Sequence, residues 1–392
     1  MSLRRKLSII ALVYVIEGFP MGVFREFWSV VFRREGMGLT EIGLVSGLTV
    51  AWSLKVFWSP LVGRYGEERH WIAGCLSVMT LCLLAAADLD LSRLGLVLGA
   101  LVAAFCLASA TQDVAIDAYT IRLVESGEEG HANSMRSAAY RGGMILAGSL
   151  LILADQIGYP ATHWVAAGLA ALMAVCVWGT PRGSVQRARD EGSVGLLRRW
   201  AVRPGVGAVF GFVLLYRIGD LSMGPMIRPF WVDRGFSDSE IGVVTNIVGA
   251  FVLVLGAVLG GVVVSRAGIG RALWSLGALA LASNLAYAMA ASSDVTDRSA
   301  VYAASVAESF CAGLAGNAFM SYLMNICEKQ HAAVNYALLT AIYALPGLFA
   351  GAASGWATEQ VGYAVFFALT AALALPAFAF LPRANRWIDG GA

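Results

Sequence analysis

Charge is what this sequence has least of. Asp, Glu, Lys and Arg make up 14% of its 392 residues, against roughly 25% in soluble domains. A water-facing surface cannot be built from that supply, which excludes a soluble globular protein. Alternation of period two is also missing, which excludes a membrane β-barrel. There is no phosphate-cradling glycine-rich loop with its lysine, which argues against an ATP-driven pump. No nucleophile, base and orienting group stand together, so the chain does not read as an enzyme. The six cysteines, Cys75, Cys82, Cys106, Cys176, Cys311 and Cys327, lie in or at the ends of apolar runs. They form neither a disulfide framework nor a paired metal spacing. The four histidines are scattered near the ends of apolar runs. No metal site and no cofactor are expected.

Apolar residues fill the space that charge leaves, 58% of the chain with a mean hydropathy of +0.70. They come in runs of about 20, long enough to cross the hydrocarbon core as helices. Hydropathy places spans at 7–27, 40–62, 70–88, 94–121, 133–154 and 161–179. After a polar, Arg-rich interval come 206–231, 239–264, 270–291, 299–325, 333–356 and 362–382. The expected organisation is a six-helix half over 1–180, a cytoplasmic linker over 181–205 and a second six-helix half over 206–392. The basic stretch 182–203 reads as a tether and not as a nucleic-acid binder. With the N-terminus inside, 18 Lys and Arg residues fall on the cytoplasmic side and 5 on the other. By the positive-inside rule both termini are then cytoplasmic. The start, Arg4-Arg5-Lys6 before an apolar run, lacks a small-residue cleavage site and reads as an uncleaved first span.

The two halves repeat. Gly38-Leu39-Thr40-Glu41-Ile42-Gly43 returns as Gly235-Phe236-Ser237-Asp238-Ser239-Glu240-Ile241-Gly242, each just before an even-numbered span. Capping of a helix start explains the residue types but not their recurrence. Gly158-Tyr159 and Gly362-Tyr363 likewise precede the last span of each half. Gly242, Gly249, Gly256 and Gly260 share one face of the eighth span, as close helix contact requires. Trp28, Trp58, Trp71, Trp164 and Trp231 sit near span ends and read as an interfacial belt. Six spans, a cytoplasmic linker and six more resemble the plan of the major facilitator superfamily, an all-α membrane fold of twelve helices whose halves rock about a central site.

Ionisable side chains inside spans are expensive, so each asks for a partner or a role. Asp113 and Asp117 lie four apart on one face of the fourth span. At ~1.5 Å per residue, Asp113 is about 13 Å below the cytoplasmic end, with Arg141 and Lys55 each about 12 Å deep. A second group nearer the midplane comprises Glu17 on the first span with Arg217 and Asp220 on the seventh. Glu308 lies about 13 Å from the other side. On the functional reading, Asp113, Asp117, Glu17 and Glu308 are candidate proton carriers. Lys55, Arg141, Arg217 and Asp220, with Gln112, Tyr14, Tyr119, Tyr140 and Tyr216, are candidates for holding an anionic solute. Burial favours the neutral form of an acid and a nearby cation the charged form, so solute binding could switch protonation. The alternative is a buried ion-pair network that holds helices in register.

Several stretches resemble one branch of that superfamily, the AmpG-type muropeptide permeases. They are Ala110-Thr111-Gln112-Asp113-Val114-Ala115-Ile116-Asp117-Ala118-Tyr119, Tyr140-Arg141-Gly142-Gly143-Met144, Trp52-Ser53-Leu54-Lys55-Val56-Phe57-Trp58-Ser59-Pro60-Leu61, Glu17-Gly18-Phe19-Pro20 and Glu308-Ser309-Phe310-Cys311-Ala312-Gly313. The resemblance implies proton-driven import of muropeptides or a similar bulky polar metabolite across a bacterial inner membrane; a monomer is expected. It also implies a transport role for Asp113 and Asp117. Ferric-siderophore import, within the same wider family, is the alternative substrate class. A membrane sensor or scaffold without flux is the alternative of another kind. The chain departs from the family in carrying Gly63-Arg64 where a gating Asp-Arg is usual, and twelve spans are fewer than the larger muropeptide permeases have.

Overall fold

The computed structural model describes residues 1–124, 128–181, 205–294, 297–327 and 332–390. Every regular element among them is helical. Among the described residues, nine helices are long and apolar enough to cross a membrane. The last of them is two rods joined at Gly362, whose backbone is not helical. The broken run 39–64 and the helix Arg298–Asn325 supply two more rods. We number the twelve α1 (Leu3–Arg34), α2 (39–64), α3 (Glu68–Asp88), α4 (Leu96–Leu123), α5 (129–157), α6 (Tyr159–Trp178), α7 (Val206–Asp233), α8 (Asp238–Ala267), α9 (Ile269–Ser292), α10 (Arg298–Asn325), α11 (332–361) and α12 (363–384). A short 3₁₀ turn, Asn385–Gly390, follows. The chain is a multi-pass membrane protein. Its outward-facing side chains fit that solvent: Leu96 is 89% exposed, Phe349 77% and Phe251 74%, an arrangement costly in water and required in lipid.

The rods fall into two compact units. Unit 1 holds residues 1–188 together with Gly235–Asn246, and unit 2 holds Arg189–Arg234 with Ile247–Ala392. Most of the linker interval, 182–204, lies outside the described residues.

The same devices recur in both halves of the sequence. Glu41 accepts the backbone N–H of Gly38 at 3.3 Å, and Glu240 accepts that of Ser237 at 2.8 Å. The repeated motif is therefore a repeated helix start, with the carboxylate satisfying an N–H that no helical carbonyl reaches. Gly158 and Gly362 both have φ near +78° with an extended ψ. Only glycine occupies that region without strain, so the chain can end one rod and start the next without an intervening loop.

Glycine also sets the closest crossings. In unit 1, α1 packs on α5 with Gly18 against the Tyr140 carbonyl and Gly143 against the Val15 carbonyl. In unit 2, Gly256 and Gly260 of α8 lie against the Phe310 and Leu314 carbonyls of α10, and Gly313 answers against Leu253. Gly242 instead packs on Leu151 and Ile152 of α5, within unit 1. The aromatic belt needs correction at two positions. Trp28 and Trp231 are fully buried. Trp28 donates its indole N–H to His163 Nε2 at 3.1 Å, which holds α1 to α6. Trp164, 58% exposed, does sit on the outer surface.

Candidate functional site

The helices of unit 1 are irregular where the polar residues gather. α1 carries Pro20 and then a π-helical turn at Val23–Phe27. α2 is broken by 3₁₀ turns at Gly47–Thr49 and Lys55–Phe57. The second break presents Lys55 to α4, where its ammonium pairs with Asp113 Oδ2. One turn further along α4, Asp117 Oδ1 accepts from Tyr14 Oη at 2.8 Å and pairs with Arg136 Nη2 at 3.0 Å. The Arg136 guanidinium also lies 4.9 Å from the centre of the Tyr14 ring. Glu17, one turn beyond Tyr14 on α1, completes the group. Carboxylate oxygens of Glu17, Asp113 and Asp117 all lie within 4.8 Å of one another.

Three acids and two cations thus meet on four helices. Sequence depth grouped Glu17 with Arg217 and Asp220; within unit 1, α1 packs on α4 and α5 and brings Glu17 to the two aspartates. Arg141, expected beside Asp113, forms no ion pair with either aspartate. Its charged neighbour is Arg25. Arg136 takes that place instead. It counted as an ordinary cytoplasmic charge in the sequence because it lies near the start of α5, and only the four-residue step to Tyr140, itself beside Glu17, hints that it shares that face. Three acids this close could chelate a cation, but Lys55 and Arg136 already supply the counter-charge, so the donor set does not fit a resident metal.

Three other expected site residues lie elsewhere. Gln112 is buried and donates from Nε2 to the Ile16 carbonyl at 3.2 Å, fastening α4 to α1. Tyr119 donates to the Pro181 carbonyl at 3.0 Å, two residues beyond Asp117 toward the helix end. Tyr216 stacks on Phe319 with ring centres 5.4 Å apart and donates to the Leu273 carbonyl at 2.8 Å. It belongs to the apolar core of unit 2. Gly63 and Arg64 close the last helical piece of α2, and their side chains lie outside the described residues.

Unit 2 has its own polar group. α7 breaks at Tyr216–Arg217, and Arg217 pairs with Asp220 at 2.8 Å while donating to the Ala312 carbonyl of α10 at 3.1 Å. Glu308 of α10 faces the same charges, together with Arg228.

Residues 10–351 match the family model of the Major Facilitator Superfamily. The chain belongs to that superfamily. Its members are transporters, and the superfamily fold is the one described above. Within the superfamily the chain is similar to the anhydromuropeptide permease of Escherichia coli (strain K12), 29% identical over 396 residues that cover 95% of this chain and 78% of that one. A putative transporter AmpG 4 of Rickettsia felis is 24% identical, covering 98% and 97%. Among solved structures, the nucleoside transporter NupG superposes with a TM-score of 0.77 at 18% identity over 98% of this chain and 99% of that one. A bacterial homologue of the human lysosomal transporter Spinster gives 0.75 at 14% over 98% and 97%. These two superfamily members share the fold.

Proposed function

We propose that this transporter imports muropeptides, or a similar bulky polar metabolite, across the bacterial inner membrane together with protons. The substrate class rests on the similarity to the anhydromuropeptide permease along nearly the whole chain. The coupling rests on one observation, the meeting of Glu17, Asp113 and Asp117. Three carboxylates at this separation in a membrane interior cannot all carry charge against two cations, because like charges repel strongly where the dielectric is low. The group therefore takes up and gives back a proton as its cations are engaged or freed. Lys55 is the switch: an anionic group of the solute competes with Asp113 for its ammonium. In unit 2, Arg217 offers a second cation to an anionic solute, with Asp220 as the partner it leaves and Glu308 as a further acid beside it.

The test is uptake of labelled anhydro-muropeptide into proteoliposomes under an imposed inward proton gradient. Accumulation that collapses with a protonophore is the expected result. Folded protein that takes up no muropeptide under that gradient overturns the substrate assignment, and uptake indifferent to the gradient overturns the coupling.

A further inference from the structure

The acids and cations of unit 1 do not balance. Lys55 is engaged with Asp113, and Arg136 and Tyr14 both reach Asp117 Oδ1. Neither cation bonds to Glu17. Its side chain is 9% exposed, and its Oε2 is sealed from solvent with no hydrogen-bond partner among the described residues. Yet a carboxylate oxygen of Glu17 lies within 4.8 Å of one from each aspartate. Carboxyl groups crowded this closely in a low dielectric are held at least cost when one of them carries a proton, since like charges there repel strongly.

The groups that face Glu17 leave one assignment. Tyr14 on its own helix donates its hydroxyl hydrogen bond to Asp117. Asp113 and Asp117 face it from α4, Lys55 from α2, and Arg136 and Tyr140 from α5. Each aspartate has a cation in contact and keeps its charge at least cost. Glu17 has no cation in contact and an unsatisfied oxygen, the arrangement in which a buried acid is best left neutral. We infer that Glu17 is the residue that carries the transported proton, and that Asp113 and Asp117 are the fixed anions that hold Lys55 and Arg136.

This deepens the proton-coupled reading given above and rests on it for its role in transport. The exchange balances without any other reactant. When a solute anion takes the Lys55 ammonium, Asp113 loses the cation that held its charge. The O–H bond of Glu17 breaks, one forms on Asp113, and the net charge of the group is unchanged. On α4 the proton then lies one turn from Asp117, whose side chain is 30% exposed.

The experiment is infrared difference spectroscopy of the purified full-length protein in lipid across a pH titration, without solute. The carbonyl stretch of a protonated carboxyl group is read directly. It is expected in the wild type, lost in Glu17→Gln and kept in Glu308→Gln. A band that persists unchanged in Glu17→Gln overturns the assignment, as does one lost in Asp113→Asn while Glu17→Gln retains it. Should Glu17→Gln not fold, Glu17→Asp serves: it is expected to move the band, and an unmoved band overturns the assignment. Because no solute is present, failure of muropeptide uptake by the wild type would remove the proposed function and leave this result standing.

Discussion

Lys55 and Asp113 sit at the heart of the unit 1 group, and removing either leaves the other charge with little water to replace its partner. Asp113→Asn and Lys55→Gln are each expected to lower stability by roughly 2 kcal/mol, read as a lower melting temperature in detergent. The double substitution should cost less than the two singles together, because it strands no charge. Additive losses would show that the pair contributes nothing as a pair. Asp113→Asn should also abolish accumulation driven by a proton gradient while the protein still inserts. Normal accumulation would remove Asp113 from coupling. The acids were legible in the sequence because charge inside an apolar run is conspicuous. Their partners were less so. Depth along one helix says nothing about which neighbour it faces, so Arg141 was placed where Arg136 belongs and the meeting of Glu17 with the two aspartates went unread. Tyr216 could not be told from a site residue either, since the hydroxyl that suits a solute equally suits the Leu273 carbonyl.

At the scale of elements, the α1–α5 crossing carries the group, because it sets where Tyr14, Glu17 and Arg136 stand. A Cβ at Gly143 would meet the Val15 carbonyl, whereas one at its neighbour Gly142 would meet nothing within 4 Å. Gly143→Ala is therefore expected to destabilise by about 1–3 kcal/mol and Gly142→Ala to be neutral or mildly stabilising. Equal melting temperatures for the two would show that the crossing is not tight. At the far end of unit 1, Asp238 in the first turn of α8 pairs with Arg34 of α1 at 2.8 Å and accepts from Tyr159 of α6. This strap binds a segment from the second half of the sequence into unit 1. Asp238→Asn keeps the shape and removes the charge. Digestion by a protease at the turn before α8 should become faster in that variant, and unchanged cleavage would show that the strap does not hold. The turn itself was legible, since Ser237 and Glu240 announce a helix start. The docking of that start was not, because nothing in Asp238 names Arg34. A further repeat, Arg25-Glu26-Phe27-Trp28 against Arg228-Pro229-Phe230-Trp231, stayed hidden because tryptophan near a span end suggests an interface. Both indoles are buried.

For the whole molecule, hydropathy alone located twelve rods, because every backbone group in lipid must find its bond within a helix. It could not show that α2 is broken at Lys55 or α7 at Arg217, since a helical and a broken stretch have the same mean hydropathy. Orientation rests on a different force, the preference of Lys and Arg for the cytoplasmic side. Arg136 leaves the interfacial count by pairing with Asp117, but the 17 that remain still outnumber the 5 opposite. Fusions to alkaline phosphatase test the result, because that enzyme needs disulfides and so folds only outside the cytoplasm. Fused after Asp90, between α3 and α4, it should be active; fused after Glu128, between α4 and α5, it should be inactive. The opposite pattern would invert the protein and place the exposed face of Asp117 toward the periplasm. The proton would then leave α4 on the wrong side for import, so the same two fusions decide whether the geometry of unit 1 can serve uptake at all.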